Sequence, residues 1–291
     1  MQDPFAHGAE LVRATDRDRF IASLFAPAEH RGAICALYAF NSEVSRVRET
    51  AREALPGEIR LQWWNDVINR DRDEEARANP VAAALLTAIE RYRLSSAKLV
   101  DLIEARRFDL YDDPMAALAD LEAYASKTSS ALFALAAQIL AGANVEAVTT
   151  PAGIAFAIAG LLRAFPLHAA RGQLYVPMEL LDRHKVHPHD IFAGRSSAGL
   201  QAAFAELRDL GRRHLDAANQ QMAALPPLAM PALLPVALVR PALMRLEGGD
   251  PFSPAEIAPW RRQWLIGRAA RHPARIAGYS TFIPPRAARL C

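Results

Sequence analysis

Cysteine is almost absent from this chain of 291 residues: Cys35 and Cys291 are the only two. Cys35 falls in an apolar helical pattern and Cys291 is the last residue, so no disulfide framework is indicated and a reducing compartment fits. Strand signals are also scarce. Alternating patterns are missing and Ala and Leu dominate over Val, Ile and Thr, so the expected fold is all-α. No Gly/Ser linker or charge block divides the chain, which predicts one domain over residues 1–291. No repeat of a solenoid period occurs. No basic-then-apolar leader opens the sequence, which starts MQDPFAHGAELV, so a cytoplasmic location is expected rather than export. A net charge of +2 gives no single-sign excess. Arginines alternate with acids, as on solvated helix faces, and nucleic acid is not an expected partner.

What is present is ample material for a core: 52% of residues are hydrophobic and 23% charged. The stretch from Thr149 to Pro177 organises the chain. Thr149, Thr150 and Pro151 predict a helix start, because Pro suits the first helical position. Ile154, Phe156, Ile158, Leu161 and Leu162 follow, with Ala155, Ala157, Ala159 and Gly160 between them. A helix apolar on all sides is buried. At roughly a dozen residues it is too short for a bilayer, which needs about 20. It is therefore expected to be the central helix, closely approached at its small residues. Arg163, His168 and Arg171 come at its far end, before the exit GQLYVP.

The remaining pattern predicts helices throughout. One starts near Asp16 with Phe20, Ile21, Leu24 and Phe25 on one face. The next, after Pro27, carries Ile34, Leu37, Tyr38, Val44 and Val47 and runs to about Ala54. Pro56 and Gly57 predict a break. Trp63 and Trp64 then lie about 100° apart on a helix, so at least one belongs to the core. Further helices are expected from Pro80, over Leu99–Tyr111, Leu118–Tyr124 and Leu132–Leu140, and over Leu200–Met222. His184–Asp190 (HKVHPHD) is expected as a loop, and its spacing fits no standard zinc pattern. Leu225–Leu246 is apolar but holds five prolines, which predicts short broken helices and not a membrane span. The tail from Pro259 is basic.

Three segments together carry a family resemblance. ALYAFNSEV (Ala36–Val44) is similar to a lead-in that elsewhere runs into DDxxD. RLQWWNDVI (Arg60–Ile68) matches the helix that follows. The exit of the central helix, with Arg163, Arg171, Gly172, Tyr175 and Pro177, resembles NxxRDxxEDxxRGRxYLP. This combination resembles the squalene/phytoene synthase family from about residue 16 to residue 190, with residues 200–291 as C-terminal helices. The resemblance implies a helical bundle of the isoprenoid synthase type around a central cavity.

It also implies a chemistry whose parts are depleted here. Family members join two prenyl diphosphates head to head. The departing pyrophosphate is neutralised by Mg²⁺ held on carboxylates from two acid-rich helices. At the first motif this chain has Ser45, Arg46, Val47, Arg48 and Glu49. At the second it has Ala164, Leu167 and His168 where the family carries acids. Two readings of the candidate residues Arg46, Glu49, Arg163, Arg171 and Tyr175 follow. They form a metal-free, arginine-based anion grip, or the arginines and Glu49 pair with one another on a cavity wall. No catalytic residue, metal or cofactor is assigned. Leu55–Trp64 resembles a subgroup without the aspartates, which includes an assembly factor of mitochondrial respiratory complex I. That resemblance implies a non-catalytic role with assembly intermediates of complex I as partner. The apolar-then-basic portion Leu225–Arg289 suits the cytoplasmic face of a membrane, so loose, salt-sensitive peripheral contact with the inner membrane is expected. The alternatives are a prenyltransferase with atypical Mg²⁺ ligation, or an isoprenoid- or lipid-binding module.

Overall fold

The computed structural model describes residues 5–51, 53–253 and 256–272, and every regular element among them is helical. The chain opens with α1 (Ala6–Thr15), α2 (Arg17–Ser23), α3 (Ala28–Ser45) and α4 (Val47–Thr50). It continues with α5 (Ala54–Ile68), α6 (Asp73–Ala78), α7 (Pro80–Tyr92), α8 (Ser96–Arg106), α9 (Leu118–Ala125) and α10 (Ala131–Ala141). Then follow α11 (Glu146–Ala170), α12 (Met178–Arg183), α13 (Pro188–Phe192) and α14 (Ala198–Gln221). The last are α15 (Met230–Leu233), α16 (Val239–Arg245) and α17 (Pro259–Arg271). One contiguous cluster of buried residues runs from Val12 to Ala269.

Helix ends follow local chemistry. Asp16 accepts from the Arg19 backbone N–H and starts α2, while Asn79 accepts from Val81 and Ala82 before Pro80 starts α7. Such caps satisfy amides that have no partner inside the helix. Pro56 and Gly57 do not break the chain as expected; they lie inside the first turns of α5. A first-turn proline removes an N–H that lacked an intrahelical partner anyway. Trp64 is core and Trp63 half-buried, but Ile59 is exposed. Leu24 and Phe25 are exposed too, so the expected apolar face of the first helix ends at Ile21. The expected second helix stops at Ser45, and Arg46 separates it from α4.

The central helix is longer than its apolar pattern. It begins at Glu146, includes Pro151 and Pro166, and reaches Ala170, 25 residues in all. By length and composition α11 and the segment Pro227–Arg245 could each cross a bilayer, but 61% and 72% of their apolar windows are buried against the rest of the fold. Burial of its apolar sides holds α11 together where its two prolines withdraw N–H donors. α14 packs along its length.

Its two glycines do different things. A Cβ on Gly153 would come within 2.3 Å of the Ser130 Cα, so this is where a neighbour approaches closely. Gly160, expected to do the same, meets nothing within 4 Å and faces a cavity. The neighbour at Gly153 is Ser126–Ser130, a π-helical turn that joins α9 to α10. His184–Asp190 is a loop only in part, because Pro188 starts α13. The Pro-rich segment forms short 3₁₀ and α turns, as expected, and is largely core; Leu228 and Met244 are its exposed large side chains. Arg275, Arg289 and Cys291 lie outside the described residues.

Candidate functional site

A cavity of about 410 Å³ opens between the start of α2, the ends of α3 and α8, the π turn and α11. Its charged lining is Asp16, Arg19, Arg46, Glu49 and Arg106, and its apolar lining includes Leu132, Phe156, Ala157 and Leu161. A second cleft of about 350 Å³ shares Thr15, Ser42 and Arg46 with it and extends to Arg60, Trp63 and Trp64. The apolar recess behind Leu161, toward Phe165, His168 and Leu207, has only about 10 Å³ of free space.

Three of the five candidate residues come together. Arg46 Nε donates to Glu49 Oε2 at 2.9 Å, and Arg171 Nη1 reaches Glu49 Oε1 at 3.5 Å. Hydrogen bonds from Arg46, and more weakly from Arg171, hold the Glu49 carboxyl below its usual pKa. Arg48 turns away to the Leu110 carbonyl and to Asp112, at 3.1 and 2.8 Å. Arg163 does not line the cavity; its charged neighbours are Arg262, Asp18 and Glu256.

Tyr175 belongs to a different group, beneath the cavity. Its hydroxyl donates to Asp109 Oδ1 at 2.6 Å, and Tyr124 donates to the same atom at 2.8 Å. Arg106 Nη1 donates to Asp109 Oδ2 at 3.0 Å and to the Tyr124 hydroxyl at 2.6 Å. Gln173 donates to the Asp109 carbonyl. Burial drives both tyrosine phenols well above their usual pKa. The His168 ring lies 4.7 Å from the Tyr175 ring, and burial lowers its pKa to about 4.

Sequence reasoning missed Asp16, Arg19, Asp109, Arg106 and Tyr124. Arg19 pairs with Asp16, and its guanidinium lies over the rings of Tyr38, Phe133 and Phe156 at 5.0–5.8 Å. The run DRDRF (Asp16–Phe20) signalled a helix start but not a cavity rim. A polar, small segment between apolar helices, SKTSS, was the available sign that α9 and α10 meet at a site.

Magnesium takes near-octahedral oxygen ligands, supplied by carboxylates, waters and substrate phosphates; cations beside those carboxylates oppose it by like-charge repulsion. The acids lining this cavity are Asp16 and Glu49, and each is already bound by an arginine. Among the described residues no three His, Cys, Asp or Glu side chains are grouped as metal ligands. This donor set does not fit the Mg²⁺ that the fold family implies.

An all-α bundle with a cavity between α3 and the central helix defines a protein class. The squalene/phytoene synthase family model matches residues 12–268, and the chain belongs to that family. Assembly factors and prenyl-joining synthases are both among the proteins it resembles. It is 28% identical to complex I assembly factor 6 of Rattus norvegicus over 250 residues, covering 85% of this chain and 75% of that protein. The human assembly factor 6 is also 28% identical, over 83% of this chain and 73% of its own length. Phytoene synthase of Thermus thermophilus is 27% identical over 92% of this chain and 94% of its own. Among solved structures, a dehydrosqualene synthase superposes with a TM-score of 0.80 at 15% identity, over 94% of this chain and 97% of that one, which shows the shared fold.

Proposed function

We propose that this protein is a non-catalytic member of its family that acts in the assembly of respiratory complex I, from the cytoplasmic face of the inner membrane. The observation that carries the reading is the Arg46–Glu49–Arg171 group. Glu49 is the one acid at the aligned motif positions, and two cations hold it. Positive charge beside a carboxylate disfavours a divalent cation by direct repulsion. The similarity to assembly factor 6 over most of both chains supports the direction of the reading. Its partners are then assembly intermediates or subunits of complex I.

Deleting the gene tests this. The reading predicts less assembled complex I and slower NADH oxidation in isolated membranes, with carotenoids and hopanoids unchanged. Loss of an isoprenoid product with normal complex I would replace it with the prenyltransferase reading, which the family and the Thermus thermophilus phytoene synthase similarity keep in view.

A further inference from the structure

We infer that α5 and the cleft beside it form a docking surface for an amphipathic helix of a protein partner. The inference deepens the assembly reading and rests on it only for the identity of that partner. Leu55 and Ile59 are 70% and 63% exposed, and among the described residues no other large aliphatic side chain is as exposed. They stand four residues apart, and Trp63 stands four further on. Each such step turns about 40° around a helix. The three side chains therefore drift from the outer face of α5 toward its flank. There the half-buried Trp63 forms a wall of the cleft of about 350 Å³, together with Leu11 and Val47. The result is an apolar track about 12 Å long that starts in the open and ends in a recess.

Charge along the track selects the occupant. α5 carries Glu58, Arg60 and Asp66. Glu58 is met by Arg107 and the Tyr111 hydroxyl, and Asp66 by Arg72 and Gln62. Arg60 is not matched: it is exposed, it donates to the neutral Thr50 hydroxyl, and no carboxylate pairs with it among the described residues. Glu43, on the α3 side of the same cleft, is half-buried and accepts no hydrogen bond among the described residues. Burial raises its pKa, and His7 and Arg60 oppose this only through their charge. A carboxylate withdrawn from water without a donor is costly. The occupant that answers both groups is a helix with an apolar stripe for the track, an acid on its edge for Arg60, and a donor that reaches Glu43.

A bilayer fits the track less well. A flat leaflet reaches Leu55 and Ile59 but leaves the recess empty. One unmatched arginine also falls short of the roughly four to eight basic residues that hold a segment on anionic lipid.

The test is photo-crosslinking in cells, with the full chain carrying benzoylphenylalanine in place of Ile59. A control strain carries it in place of Phe25, an exposed ring just beyond α2. The Ile59 probe should give an adduct with one other protein, identified by mass spectrometry, and the Phe25 probe should not. Adding Leu55→Ser or Arg60→Glu should each lower the adduct yield about tenfold or more. Both positions are exposed, so the melting temperature of the purified variants should stay unchanged. A complex I subunit in the adduct supports the surface and the assembly reading together. An unrelated protein with the same sensitivity to both changes keeps the surface and overturns the assembly reading instead. No adduct above the Phe25 control overturns the proposal, as does a yield that neither change lowers. So does an adduct of twice the chain's mass, which assigns the face to a second copy, or an adduct with lipid alone.

Discussion

Glu49 Oε2 lies 2.9 Å from Arg46 Nε, one helical turn back along the chain, and the side chains of both are well exposed to solvent. An exposed pair of this kind contributes about 0–1 kcal/mol. Its consequence is therefore local charge, not stability: guanidiniums stand beside the carboxylate where a divalent cation would have to sit. The carboxylate that faces the cavity is engaged, and so are the guanidiniums that could have met a phosphate.

The first prediction follows from that pairing. Arg19, Arg46 and Arg106 all line the cavity, and each has an acidic partner: Asp16, Glu49 and Asp109. Millimolar pyrophosphate without metal should leave the melting temperature unchanged. A ligand at 100 times its Kd would add about 2.7 kcal/mol, which is easily seen. A rise of several degrees would show that these arginines exchange their internal partners for an anion.

The second prediction concerns pH. Burial lowers the His168 pKa to about 4, against an unfolded value of about 6.5. Between those values the unfolded chain binds the extra proton and the folded chain does not. Stability is therefore lost as pH falls from about 6.5 toward 4, by about 2 kcal/mol between pH 7 and pH 5 for this group alone. Urea midpoints measured at both pH values should separate more for wild type than for His168→Gln. Equal separation would mean that His168 titrates normally.

Asp109 offers a third. It accepts from Arg106, Tyr124 and Tyr175 and is 7% exposed. Asp109→Ala leaves a buried guanidinium unpaired and should cost about 3–5 kcal/mol. Chemical denaturation reads this directly, and a loss under 1 kcal/mol would mean that water replaces the carboxylate.

The two glycines of α11 supply a matched pair. Gly160→Ala should stabilise by about 0.5–1 kcal/mol, because the helix gains and the new methyl meets open space. Gly153→Ala should destabilise, because Ser130 stands where the methyl would go. Thermal melts of both variants check the signs, and the same sign in both would contradict the geometry.

Much of this architecture was legible in the residues. The all-round apolar run from Ile154 to Leu162 marked the central helix, and the pairing of Arg46 with Glu49 was one of two open readings. Legibility failed where tertiary burial outweighed local signals. Pro151 looked like a helix start and lies inside one, because burial on every side carries α11 back to Glu146. Leu24 and Phe25 shared the expected apolar face with Phe20 and Ile21 and are exposed, since periodicity shows which residues share a face but not whether a neighbour covers it. Asp109 gave no signal. Its role depends on Tyr124 and Tyr175, which lie 15 and 66 residues away in sequence and meet only in the fold.

The most direct measurement is turnover. Purified protein with farnesyl or geranylgeranyl diphosphate and Mg²⁺ should form no condensed hydrocarbon or cyclopropyl product above the no-enzyme control. Product formation that EDTA abolishes would contradict the account, because it would require Mg²⁺ to bind at a cavity whose acids are already held by Arg19, Arg46 and Arg171.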